Sequence, residues 1–180
     1  MKVEPFILNE NVALEYPGII SGSHLPAQTL GGIVQSEKLL ILHFLRHLGC
    51  LLCKESVSKL HKLKQQKPTF PTVYFIHQSS VEDGDVFFDE YFPGSPHISD
   101  MKLELYRYFA INRMEGLQLL NPKMYARIIQ AMFGGFFQTE IKGDPQVLTG
   151  TFLFYNGKLA WQHHASYAGE EPKWEKITML

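Results

Sequence analysis

Cysteine is nearly missing from this 180-residue chain, which holds only Cys50 and Cys53. Two cysteines cannot build the multi-bridge framework of a small secreted domain. Long apolar runs are also lacking, and none reaches the length needed to cross a bilayer. The start, Met1-Lys2-Val3-Glu4-Pro5-Phe6, lacks the basic-then-apolar order of a signal peptide, so a cytoplasmic setting is expected. Charge of one sign is not in excess. The net charge of -1, with acids and bases mixed along the chain, argues against a nucleic-acid surface. Glycine and proline are scattered, which excludes collagen-like and linker segments. What remains, 45% hydrophobic and 19% charged residues, suits one domain over residues 1–180 with a sizeable core. A weakly patterned N-terminal extension over about 1–27 precedes the clearer elements. Within it, 13–16 and 18–20 read as short edge strands, and 21–29 as turn-rich.

Residues 38–46 are dense in Leu, Ile and Phe and too short for a long helix, so they read as a buried central strand. Leu51 to Lys67 carries no glycine or proline. Its apolar stripe of Leu52, Val57, Leu60 and Leu63 marks an amphipathic helix, with Glu55 and the lysines on the solvent side. Thr72–His77 forms a second strand. Ser79-Ser80-Val81-Glu82 reads as a helix start, with Ser79 and Glu82 at capping-box spacing, weakened by Gly84, and 86–92 reads as a short helix or turn stopped by Pro93-Gly94. A short strand near Pro96–Ser99 and a short helix over Met101–Ala110 follow. Asn121-Pro122 opens a helix to about Phe133. Two strands, 150–155 and 158–163, flank Asn156-Gly157, the strongest hairpin signal in the chain. A last helix falls within 171–180. The order predicts an α/β layered fold with two early parallel strands and a terminal antiparallel hairpin.

The chemistry concentrates at Cys50-Leu51-Leu52-Cys53, where the first strong strand hands over to a helix. A helix start offers unpaired N–H groups and a favourable dipole, both of which stabilise a thiolate. Cys50 would sit at that mouth as the attacking thiol, and Cys53, one turn on, as the less exposed resolving thiol. Arg46 could bring positive charge to Cys50, and Gly49 gives the backbone room at the turn. His43 and His47 could tune the site or be satisfied locally. Lys54 reads as a helix-surface residue. Inert packing of two buried cysteines competes with this reading. A zinc site drawing on His43, His47, His61, His163 or His164 also competes, although no ordinary finger spacing is present.

The segment Phe44-Leu45-Arg46-His47-Leu48-Gly49-Cys50-Leu51-Leu52-Cys53-Lys54-Glu55 resembles the peroxiredoxin-like branch of the AhpC/TSA superfamily, with its Arg-His-x-Gly-Cys-x-x-Cys-Arg/Lys-Glu motif. Weaker matches follow at Lys142-Gly143-Asp144-Pro145-Gln146, at Gly150-Thr151-Phe152 and at His163-His164, so the likeness spans about 28–178. It implies a thioredoxin-like fold, a central mixed sheet with helices on both faces. It also implies thiol-dependent antioxidant or reductase activity, with Cys50 and Cys53 as the redox pair, Arg46 as the motif arginine and Gly49 as the turn glycine. The chain departs from the pattern twice. The peroxiredoxin Pro-x-x-x-Thr/Ser-x-x-Cys run is replaced by Leu42-His43-Phe44-Leu45-Arg46-His47, without the threonine. Thr149 takes the place of the cis-proline found in thioredoxins.

The expected function is thiol-dependent reduction of a peroxide or a disulfide. A thioredoxin- or glutathione-type reductant would restore the dithiol, and no organic cofactor or metal would be needed. The alternative is a non-catalytic thioredoxin-like binding module that docks a partner through aromatic surface near Trp161, Tyr167 and Trp174.

Overall fold

A computed structural model describes residues 7–114, 116 and 121–177. In chain order the elements are β1 (Ser21–Ser23), α1 (Leu30–Gln35), β2 (Leu39–Phe44), α2 (Leu51–Gln66), β3 (Thr72–His77), α3 (Val81–Tyr91), β4 (His97–Ser99), α4 (Glu104–Tyr108), α5 (Pro122–Phe133), β5 (Gly150–Tyr155), β6 (Lys158–His164) and α6 (Trp174–Ile177). Among the described residues the strands form one six-stranded sheet in the order β1-β4-β3-β2-β5-β6. β2, β3 and β4 run parallel, whereas β1, β5 and β6 pair antiparallel with their neighbours. The fold is therefore thioredoxin-like, with a mixed sheet between two helical layers.

Strand periodicity explains the layers. Ile41, Val73, Phe75 and Leu153 point to one face, where they join buried residues of α2, α3, α5 and α6. Leu40, Leu42, Phe44, Tyr74, Ile76, Phe152 and Phe154 point to the other face and pack with α1 and α4. Covering both faces is why β2, His43 apart, reads as a continuous apolar run and not as an alternating one. Every fully buried Leu or Phe in these layers contributes about 2 kcal/mol of burial free energy.

Local signals set most of the boundaries. Ser80 caps α3 by accepting from Asp83 N, one residue later than the expected start. Gly84 lies inside α3 without breaking it. A Cβ there would come within 2.5–2.7 Å of the His77 and His97 rings, so the glycine serves close packing. Asn121 caps α5, with Pro122 in the first turn. Asn156 (φ 49°) and Gly157 (φ 78°) both take the left-handed conformation that a tight hairpin requires.

The N-terminal stretch differs from expectation. Strands over 13–16 and 18–20 do not form. Instead β1 lies at 21–23, where turns were expected, and α1 appears at 30–35. Val12, Ala13 and Ile20 are buried in the second core, so this stretch is part of the packed fold. Its apolar residues anchor by tertiary contact and show no strand periodicity for the sequence to reveal.

Candidate functional site

β2 ends at Phe44, and five residues carry the chain to Cys50, the N-cap of α2. Both cysteines are reduced and about 2% exposed. The Cys53 thiol donates to the Cys50 sulfur, and this bond above all lowers the Cys50 pKa, to about 6. Burial works against the shift. The Arg46 guanidinium and the N–H groups of Cys53 and Leu52 reinforce it. Cys53 moves the opposite way, well above the ordinary thiol value, because its proton is held by Cys50 and its surroundings are dry. One sulfur is thus ready as a thiolate while the other keeps its proton.

Arg46 is brought to the pair. Its Nη1 lies 3.5 Å from Cys50 Sγ, and its backbone N–H points at Cys53 Sγ from 3.4 Å. The same guanidinium donates to Val147 O (3.1 Å) and Pro145 O (2.5 Å). Two of its nitrogens are therefore fixed on two carbonyls, which aims the third at Cys50.

Residues 134–149, between α5 and β5, form a strap across the site. Thr139 N donates to Gly49 O at 3.0 Å. A Cβ at Gly49 would fall 1.9 Å from Glu140 O, so the glycine is required by the strap as well as by the turn. Lys54 is buried, contrary to its expected place on the helix surface. Its Nζ donates to Phe137 O and Thr139 Oγ1, both at 3.0 Å, and faces the Tyr91 ring. Glu55 is also buried, bound by Arg127 at 2.8 Å, because α5 covers the side of α2 that was expected to face solvent. Gln78, which sequence reasoning missed, closes the other end of the strap. Its Oε1 accepts from Asp144 N at 2.7 Å, while its Nε2 donates to Arg46 O and Asp144 O. A glutamine after a strand carries no motif, so only the tertiary arrangement could reveal it.

Thr149 lines a small cavity together with Cys53, Arg46 and His43. His43 and His47 are both buried. Burial holds His43 at about 3 and His47 at about 4, with His163 acting on the first and Arg46 and Lys54 on the second. Both rings are neutral near pH 7. His61 stacks on Phe92, away from the thiols. Among the described residues, no group of three or more His, Cys, Asp or Glu side chains is placed to hold a metal ion. The expected aromatic docking surface does not exist as such: Trp174 is buried, and Trp161 and Tyr167 are half-buried against the core.

Comparison with known proteins gives the family and the fold. Residues 58–166, more than half of the chain, match the family described as AhpC/TSA antioxidant enzyme. The chain belongs to that family. Its function class is therefore thiol-based redox chemistry. The matched residues begin inside α2, downstream of both cysteines, so the assignment of the pair rests on the geometry above. Solved structures share the fold at low identity. Peroxiredoxin 6 of Arenicola marina matches with a TM-score of 0.63 at 11% identity, over 96% of this chain and 70% of that one. A peroxiredoxin-like protein from Aquifex aeolicus gives 0.55 at 13%, over 90% and 82%. A secreted Mycobacterium tuberculosis disulfide oxidoreductase homologous to E. coli DsbE gives 0.54 at 10%, over 96% and 100%. No curated protein matches. Among the described residues, no helix is long and apolar enough to cross a membrane.

Proposed function

We propose that this member of the AhpC/TSA family is a thiol peroxidase that works through Cys50 and Cys53. The observation that carries the reading is the opposite displacement of two adjacent thiols, Cys50 down and Cys53 up, with Arg46 aimed at Cys50. Cys50 thiolate attacks one oxygen of a hydroperoxide. The O–O bond breaks, water or an alcohol leaves after taking a proton, and Cys50 becomes the sulfenic acid. The Arg46 guanidinium stabilises the departing oxygen as negative charge develops on it. Cys53 then attacks the Cys50 sulfur and expels water, leaving a Cys50–Cys53 disulfide that a thioredoxin- or glutathione-type dithiol reduces.

Burial favours a small substrate. Cys50 lies under the strap, where a hydroperoxide fits more readily than a protein disulfide. A disulfide substrate would use the same two thiols in the same order, with a mixed disulfide replacing the sulfenic acid. The fold likeness to the DsbE homologue is compatible with that second chemistry.

Intact-mass analysis after substoichiometric hydrogen peroxide tests the proposal. Wild type should lose two hydrogens, Cys53→Ser should gain one oxygen on Cys50, and Cys50→Ser should react little. Equal reactivity of the two single variants would reject the assigned roles. Absence of turnover with hydroperoxide and a dithiol, alongside turnover of a model disulfide, would favour the second chemistry.

A further inference from the structure

Beside Gln78 a second cluster of titratable side chains is buried. His77 ends β3 and His97 begins β4, and their rings are 0% and 1% exposed. His77 Nε2 lies 2.9 Å from His97 Nδ1, and His97 Nε2 lies 3.1 Å from Asp85 Oδ1. At the inner end, the Ser79 N–H donates to His77 Nδ1 at 3.3 Å. These contacts leave one arrangement of protons. His77 Nδ1 accepts from a backbone amide, so the neutral ring carries its hydrogen on Nε2. His97 Nδ1 accepts that hydrogen, and His97 carries its own on Nε2, where the Asp85 carboxylate receives it. All four ring nitrogens are used, and every bond points from the Ser79 amide toward the half-exposed Asp85. Gly84 leaves room at the junction, since a Cβ there would lie 2.5 Å from His97 Cε1 and 2.6 Å from His77 Nε2. Burial keeps both rings neutral near pH 7. The groups facing them are Asp83, Asp85 and Asp89 of α3, which favour the charged form, and His24, after β1, which opposes it.

We propose that Asp85, His97 and His77 form a hydrogen-bond relay that positions Gln78, and that through Gln78 it holds the strap and Arg46 in place at Cys50. The amide that starts the relay belongs to the peptide group joining Gln78 to Ser79. The next carbonyl, Ser79 O, accepts from Ser99 Oγ at 2.7 Å. Two successive peptide groups of the turn are therefore fixed, which sets the direction of the Gln78 side chain. Gln78 then reaches two ways, to Asp144 of the strap and to Arg46 O. Asp144 immediately precedes Pro145, whose carbonyl, with that of Val147, fixes the Arg46 guanidinium. A shift of Gln78 loosens Arg46 from both sides, at its own carbonyl and at the strap. All three relay residues are positioning residues, acting through Gln78 and Arg46. Two buried imidazoles cost desolvation that apolar side chains of that size would avoid, so what they supply is the directed bond to the turn.

The inference rests on the reading of Cys50 as the reactive thiol, although two of its three readouts do not involve sulfur. Nitrogen NMR of the wild type at pH 7 should show His77 and His97 both protonated on Nε2. A proton on Nδ1 of either ring would overturn the relay. His97→Leu leaves the His77 Nε2–H without its acceptor, and should speed deuterium exchange at the Asp144 amide about tenfold. The Asn156 amide, bonded to Lys38 O at the far end of β2, should keep its wild-type rate. The pH midpoint of Cys50 labelling, set at about 6 by Cys53 and Arg46, should rise by about half a unit. His97→Asn, which offers an acceptor oxygen near the position of Nδ1, should restore most of both values. If His97→Leu fails to fold, Gly84→Ala, whose methyl would press on both rings, decides in its place with the same expected changes. Wild-type exchange at Asp144, or an unmoved Cys50 midpoint, in the folded variant would overturn the positioning role. Equal acceleration at Asp144 and Asn156 would also overturn it, since that is the mark of a general loss of stability. A Cys50 midpoint near the ordinary thiol value in the wild type would overturn the redox reading, and Asp144 exchange would still decide the relay.

Discussion

Acidification to pH 5 should weaken the fold by about 4 kcal/mol through His43 and His77 alone. Each ring is held at about 3, chiefly by burial, with the neighbouring histidines His163 and His97 adding to the effect. In the unfolded chain both titrate near 6.5. The unfolded state therefore binds protons that the folded state refuses. Their contribution is complete above pH 6.5 and is lost progressively as pH falls toward 3. At pH 5 each ring has lost about 2 kcal/mol, from 1.5 pH units at 1.36 kcal/mol per unit. His47, held at about 4, acts in the same direction. The groups with other windows leave the interval between pH 6 and pH 4 largely to the histidines. Cys50, lowered to about 6, makes its contribution above that pH, and Asp83, Asp85 and Asp144, all lowered, lose theirs below 3.8. Asp100 opposes the trend, since burial raises its carboxyl. A loss of about 4 kcal/mol is a large part of the total stability of about 5–15 kcal/mol expected of a folded domain. With a urea slope of about 2 kcal/mol/M, the unfolding midpoint should fall by about 2 M between pH 7 and pH 5. A midpoint unchanged over that interval, or imidazole NMR titrations near 6.5 for His43 and His77 in the folded protein, would refute the reasoning.

Other expected outcomes concern single side chains. Arg46→Gln should raise the Cys50 pKa toward the ordinary thiol value and slow thiol labelling at pH 7, read as the pH dependence of the labelling rate. Lys54→Met should free the strap from α2, so that the Thr139 amide exchanges with deuterium faster and Cys50 is labelled sooner. Gly84→Ala should cost about 1–3 kcal/mol in denaturant unfolding, since its Cβ would press on the two histidine rings. Gly49→Ala should displace the strap at Glu140 and raise proteolytic cleavage within 134–149.

The parts of this molecule that obey a local rule were legible in the sequence. β2 could be read because a strand buried on both faces is mostly apolar, the hairpin because Asn156-Gly157 supplies two left-handed positions, and α5 because Asn121-Pro122 caps it. The cysteine pair could be placed because strand-to-helix handover fixes where a helix begins. Lys54 and Glu55 were misplaced because helical periodicity assumes a solvent face, whereas α5 and the strap cover α2 on that side. Gln78 and the second duty of Gly49 depend on a segment about 60 to 90 positions further along the chain, and no nearby pattern encodes such a meeting. The edge strand β1 was displaced from its expected place because three residues bound to β4 leave too short a run for periodicity to show.

The bonds that complete the site also order events during folding. Arg46 is fixed by carbonyls about 100 residues later, at Pro145 and Val147. Lys54 is fixed by Phe137 and Thr139. Contacts of such long range form late, because a large loop must close before they are gained. A chain still emerging from synthesis, with β2 and α2 made but the strap not yet in place, would hold two accessible cysteines without the aimed guanidinium. The sheltered, differentiated pair is therefore a property of the finished chain, and the last third of the sequence determines when it is acquired.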